Sequence, residues 1–96
     1  MATFENSKFE NTEERLDGNK YINCTFKRCH LIYGGMEVVT LEGCGFRECN
    51  WEFTDAAERT INFMAGLYHG TGEGGRKLIE QTFENIRKGQ LTPPTH

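Results

Sequence analysis

Several things are scarce in this 96-residue chain. Only two prolines occur, Pro93 and Pro94, and they mark residues 90–96 as an extended tail. No apolar run approaches the roughly 20 residues a membrane-spanning helix needs. The start, Met1-Ala2-Thr3-Phe4-Glu5-Asn6, has neither the basic opening nor the apolar stretch of a signal peptide. The chain is therefore expected to be cytoplasmic. Basic residues form no stripe, so direct nucleic-acid binding is not expected. Residues 1–18 hold five acids against Lys8 and Arg15 and so carry the whole net charge of −3. No Ser or Cys has a His and an acid near it in sequence, and the Glu13-Glu14 pair lies on a polar stretch. An enzyme is not expected, nor is a cofactor.

What is present is a period of five. From Tyr21 an apolar residue returns at Phe26, Leu31, Met36, Leu41, Phe46 and Trp51. Two places before each of these stands a mostly small residue: Asn19, Cys24, Cys29, Gly34, Val39, Cys44 and Cys49. All four cysteines share one of the five frames, a coincidence of roughly one in a hundred for residues placed at random. Five matches neither the helix period of about 3.6 nor the strand period of about 2. It fits a chain that turns a corner every five residues and winds a square coil of about twenty.

Units such as Cys24-Thr25-Phe26-Lys27-Arg28 and Cys44-Gly45-Phe46-Arg47-Glu48 resemble the pentapeptide-repeat family. The resemblance implies a right-handed quadrilateral β-helix and covers Asn19 to Thr54. It extends to Ala2-Thr3-Phe4 and Ser7-Lys8-Phe9 only with a two-residue change of phase, which places a loop or bulge within Glu10–Gly18. The Asn or Asp frequent before the family's central residue occurs only at Asn50. The expected architecture is a β-solenoid plus α: a short β-helix over 1–54, irregular at 10–18, capped by a helical hairpin over 55–89. Some relatives in that family mimic DNA and inhibit topoisomerases. A coil of two or three turns with mixed charge is too short for that role unless it oligomerises.

Twenty residues per coil would stack Tyr21 under Leu41, Phe26 under Phe46, Leu31 under Trp51 and Leu16 under Met36, about 4.8 Å apart. Four bulky centres leave room only for small side chains beside them, which accounts for the cysteines. Their C-x4-C spacing is looser than a zinc knuckle and puts neighbours on different faces. Stacked cysteines would be near enough for disulfides, but a reducing cytosol keeps thiols free. Free, buried, structural cysteines and no metal are expected.

After Thr54 the period changes. Asp55-Ala56-Ala57-Glu58 reads as a capping box. A helix is expected from Ala56 to about His69, stopped by Gly70, and a second from Gly75 or Arg76 to about Lys88, stopped by Gly89. The first has apolar residues on more than one face, and Ile32, Tyr33, Val38 and Phe53 point outward from the coil. These features predict a homodimer or higher oligomer, most simply through the helices, and a partner-binding face at Ile32, Tyr33, Val38 and Phe53.

The segment from His69 to Lys77 carries four glycines. It reads as a loop leading into a helix N-terminus, where Arg76 and Lys77 would favour an anion. Tyr68, His69, Thr71, Gly72, Gly74, Gly75, Arg76 and Lys77 are the candidate ligand residues. The spelling lacks the Lys-Ser/Thr of a phosphate-binding loop and no parallel strand precedes it; a plain turn between helices is the alternative. The sequence thus predicts a non-enzymatic binding or inhibitor protein that blocks or sequesters a partner, by analogy with phage–host conflict. The alternatives are a module for a phosphate-bearing small ligand such as a cyclic nucleotide, and a structural assembly unit.

Overall fold

The computed structural model describes residues 1–89; the expected tail lies outside the described residues. Nine short strands come first: β1 (Thr3–Glu5), β2 (Lys8–Glu10), β3 (Glu13–Arg15), β4 (Lys20–Ile22), β5 (Thr25–Lys27), β6 (His30–Tyr33), β7 (Thr40–Glu42), β8 (Gly45–Arg47) and β9 (Asn50–Phe53). Two helices follow, α1 (Asp55–Gly70) and α2 (Gly72–Arg87). The strands form three parallel sheets, β1-β4-β7, β2-β5-β8 and β3-β6-β9. The chain therefore visits each sheet in turn and makes three circuits, an arrangement compatible with a β-solenoid.

A left-handed residue ends most strands. Asn6, Asn11, Asn23, Arg28, Gly43 and Glu48 have φ between 52° and 63°. Asparagine and glycine take this region readily, whereas Arg and Glu are strained there. The turned residue still serves the fold. The N–H groups of Asn6, Asn11, Asn23 and Arg28 donate to carbonyls of the next circuit, at Ile22, Lys27, Glu42 and Arg47, over 2.7–3.0 Å.

The next residue in each five shows why cysteine recurs. Cys24 Sγ donates to the carbonyls of Phe4 and Ile22, and Cys29 Sγ to those of Phe9 and Lys27. Cys44 and Cys49 repeat the pattern one circuit on, with Tyr21 and Glu42, and with Phe26 and Arg47. Each thiol fills a small inward site and reaches the carbonyl of a central residue below it. Cys24 and Cys29 are buried; Cys44 and Cys49, in the last circuit, are half-buried.

Inside, Leu16, Tyr21, Cys24, Phe26, Cys29 and Leu31 form the core. Phe9, Phe26 and Phe46 stack with centroids 4.9 and 5.1 Å apart, and Phe4 stacks on Tyr21 at 5.2 Å. Burying such a ring contributes roughly 1.5–3 kcal/mol. Burial pushes the Tyr21 phenol above its ordinary pKa, against the hydrogen bond it accepts from Asn19 Nδ2 at 3.1 Å.

The circuits differ in length. Thr3 pairs with Lys20, Lys8 with Thr25 and Glu13 with His30, a step of 17 residues in every sheet. Lys20 pairs with Thr40, Thr25 with Gly45 and His30 with Asn50, a step of 20. This corrects two expectations. Glu13–Arg15 is a strand, so the irregularity is confined to Leu16–Asn19. Leu16 is buried at 2% exposure while Met36 keeps 66%, so they do not stack as core neighbours. With three residues fewer, the first circuit's fourth side turns Leu16 inward, and the longer fourth side above it carries Met36 outward.

Asp17 fastens this fourth side. Its carboxylate accepts the N–H of Gly34 at 2.7 Å and of Met36 at 2.8 Å. The Gly34 bond, set against desolvation and joined by the Met36 bond, holds the carboxyl below its ordinary pKa. Beyond it, the Ala57 N–H donates to the Gly34 carbonyl at 3.0 Å, and a side chain at Gly35 would collide with the Ala57 backbone.

The chain divides into two compact units, Met1–Arg59 and the part from Thr60 onward, so the division falls inside α1. No helix among the described residues is long and apolar enough to cross a membrane.

Candidate functional site

Two apolar concavities stand out, one in each unit. In the strand unit, the last circuit leaves a cavity of about 290 Å³ lined by Leu16, Tyr33, Val39, Leu41, Trp51 and Phe53. Tyr33 and Phe53, expected on a partner-binding face, both line it, and Val38 beside Val39 is among the most exposed apolar residues. Ile32 does not join them. It was expected outward and free, yet it keeps only 5% exposure, flanked in register by Arg15 and Glu52. Alternation along a strand tells which side a residue takes but not whether that side is covered. His30, half-exposed on the same strand, has its Nε2 2.7 Å from Glu52 Oε1.

The helical unit contains a groove of about 350 Å³ whose apolar lining includes Ile61, Met64, Ala65, Ile79 and Phe83. Its polar groups gather around Tyr68, His69 and Glu80. The Tyr68 hydroxyl donates to Glu80 Oε1 at 2.9 Å, and this bond pushes the phenol above its ordinary pKa. The His69 ring meets the Tyr68 ring edge-on at 5.2 Å. The Arg76 guanidinium lies over the same ring, 5.9 Å from its centroid. Helix α2 also borders a shallower hollow of about 530 Å³, where Arg76, Lys77 and Arg87 are interleaved with Glu73, Glu80 and Glu84.

The glycine-rich segment is not the loop the sequence suggested. Helix α1 runs through Gly70 and α2 starts at Gly72, leaving Thr71 as the one linking residue. The Thr71 hydroxyl donates back to the Leu67 carbonyl at 2.7 Å and makes no capping bond to α2. Gly72 takes φ 72° and opens the second helix. Gly75 lies so close to Thr71 Oγ1 and the Leu67 carbonyl that any Cβ would overlap them. Absence of a side chain at Gly75 therefore lets the helices meet, while Gly74 faces open space. The helix begins three residues early because this approach outweighs the poor helix propensity of glycine. Glu73 supplies the acid that a first turn favours.

Tyr68, His69 and Arg76 thus come together, Thr71 and Gly75 serve the helix junction, and Lys77 belongs to the mixed-charge hollow. Sequence reasoning missed Glu80, twelve residues from Tyr68 and brought to it only by the pairing of helices. Among the described residues no three His, Cys, Asp or Glu side chains converge to hold a metal. Comparisons with family models, with curated proteins and with solved structures returned no match for this chain.

Proposed function

We propose that the chain is a short pentapeptide-type β-helix with a helical hairpin, acting as a non-enzymatic homo-oligomeric binding protein that blocks or sequesters a protein partner. The observation that carries this is the groove between α1 and α2. Its volume of about 350 Å³ and its run of Ile61, Met64, Ala65, Ile79 and Phe83 suit the apolar side chains of a bound segment. Tyr68, His69 and Glu80 at its edge supply a few polar contacts to fix orientation. Ile61, Phe63, Phe83 and Ile86 all remain exposed, more apolar surface than a lone helical pair usually leaves in water.

Native mass spectrometry of the protein gently purified from its own cells tests the reading. Multiples of the subunit mass carrying an additional polypeptide are expected, with that polypeptide lost in an Ile61→Asp variant. A bare single subunit would refute the proposal. A second reading has its own observation, the Arg76 guanidinium and two aromatic rings grouped at Tyr68. These suit a stacked base with a phosphate. A small excess mass, lost on joint Arg76→Ala and Lys77→Ala substitution, would favour it.

A further inference from the structure

We infer that the last circuit of strands docks face to face on the same circuit of a second copy, about a two-fold axis through β8. This rests on reading the protein as a homo-oligomer and names the surface responsible. The two ends of the strand stack differ. At the first end the central residues of β1, β2 and β3 are Phe4, Phe9 and Glu14, so one inward position carries a charge. An inward charge is a known way of blunting an open sheet edge. At the last end the same positions hold Leu41, Phe46 and Trp51, at 39%, 39% and 47% exposure, with Phe53 beside them at 46%.

Every ring further down the stack has a neighbour on each side or the blunted end beyond it; Phe46 stacks on Phe26 and meets Trp51 of its own circuit at a tilt, with no ring of a further circuit stacked above it among the described residues. The backbone is open too. β7, β8 and β9 each have a single sheet neighbour. The N–H groups of Gly43 and Glu48 occupy the places from which Asn23 and Arg28 donate to a further circuit, and among the described residues no further circuit follows.

Geometry selects the axis. Two circuits meeting end to end wind in opposite senses, so facing strands run antiparallel. Only an axis through the middle strand pairs all three. β8 then faces its own copy, and β7 faces β9 of the second copy. Phe46 meets Phe46, Leu41 meets Trp51, Thr40 meets Glu52, Glu42 meets Asn50, and Arg47 lies against Gly45. No like charges oppose one another directly, and Gly45 has open space where Arg47 arrives.

The area is adequate. At 150–250 Å² for a whole aromatic side chain, Phe46, Trp51 and Phe53 leave on the order of 250 Å² per copy. Leu41, the exposed Met36 and Val38, and the strand edges bring the two faces together to about the 1,000 Å² of a specific interface.

Charge exchange at the self-facing position is the test, read by sedimentation. The wild type should be a dimer. Phe46→Lys and Phe46→Glu should each be monomeric, because each places like charges in contact across the axis, and mixing the two should restore a dimer. Ile86→Glu, in the helical unit, should leave the dimer intact. Single variants that stay dimeric, or a mixture that does not recombine, would overturn this interface while leaving the homo-oligomer reading in place; a monomeric wild type would overturn both. The lone tryptophan gives a check without substitution. Diluting the wild type through dissociation should shift Trp51 emission to the red, and dissociation without a shift overturns the proposal.

Discussion

Asp17 offers the sharpest test of how the fold is held. Its carboxylate accepts two backbone N–H groups, from Gly34 at 2.7 Å and Met36 at 2.8 Å. Hydrogen bonds to a charged group contribute about 1.5–3 kcal/mol each, less when they share one acceptor and some solvent. Asp17→Ala should therefore cost about 2–3 kcal/mol. For a chain of this length that is a fall of roughly 10–20 °C in midpoint. Asp17→Asn keeps one acceptor oxygen and loses the charge, for about 1–2 kcal/mol.

The pH dependence of that prediction has a definite sign. The native carboxyl has its pKa lowered, chiefly by the Gly34 N–H. Its contribution is complete above the unfolded value of about 3.9 and disappears as pH falls through the lower native value. Urea unfolding of the wild type and of Asp17→Asn at a series of pH values isolates the effect, because the other carboxylates are common to both. The stability gap should be constant near neutrality and close below pH about 4. A gap unchanged down to pH about 2, or no gap at pH about 7, would refute the argument.

Three further outcomes are expected. Phe26→Ala removes a buried ring stacked between Phe9 and Phe46 and should cost roughly 3–5 kcal/mol in thermal or urea unfolding; a loss below about 1 kcal/mol would deny the aromatic ladder its role. Glu48 sits at φ 55°, so Glu48→Asn should raise stability by roughly 1 kcal/mol, and a loss would show that its side chain matters more than its backbone. In α2, Gly74→Ala should stabilise by roughly 0.5–1 kcal/mol, whereas Gly75→Ala should destabilise through overlap with Leu67 and Thr71. Equal effects of the two glycine changes would contradict the close approach of the helices.

The sequence exposed those parts of the fold that repeat. Tyr21 pairing with Leu41, Phe26 with Phe46 and Leu31 with Trp51 followed from one period, because side chains in stacked circuits must agree in size. The extent of two helices was also legible from their apolar spacing and glycines, to within a few residues. What stayed hidden was whatever happens once. The short first circuit showed only as the two-residue change of phase; that it turns Leu16 inward and Met36 outward did not show. Asp17 looked like one acid among five in residues 1–18. Tyr68 and Arg76 were legible as candidates, but Glu80 reaches Tyr68 only through helix pairing, and Gly75 is read as a ligand-approach glycine until Leu67 is seen against it.

The two circuit lengths have a consequence for how this architecture tolerates change. All three sheets record the same step of 17 residues and then of 20. The entire difference is absorbed between Leu16 and Asn19 on one side and Tyr33 and Val39 above it, with every strand pairing left in register. That side behaves as an expansion joint. Extra residues or a short foreign peptide placed next to the exposed Met36 and Val38 should project from the stack without shifting a single ladder, whereas one residue added to a five anywhere else would move every inward side chain that follows it.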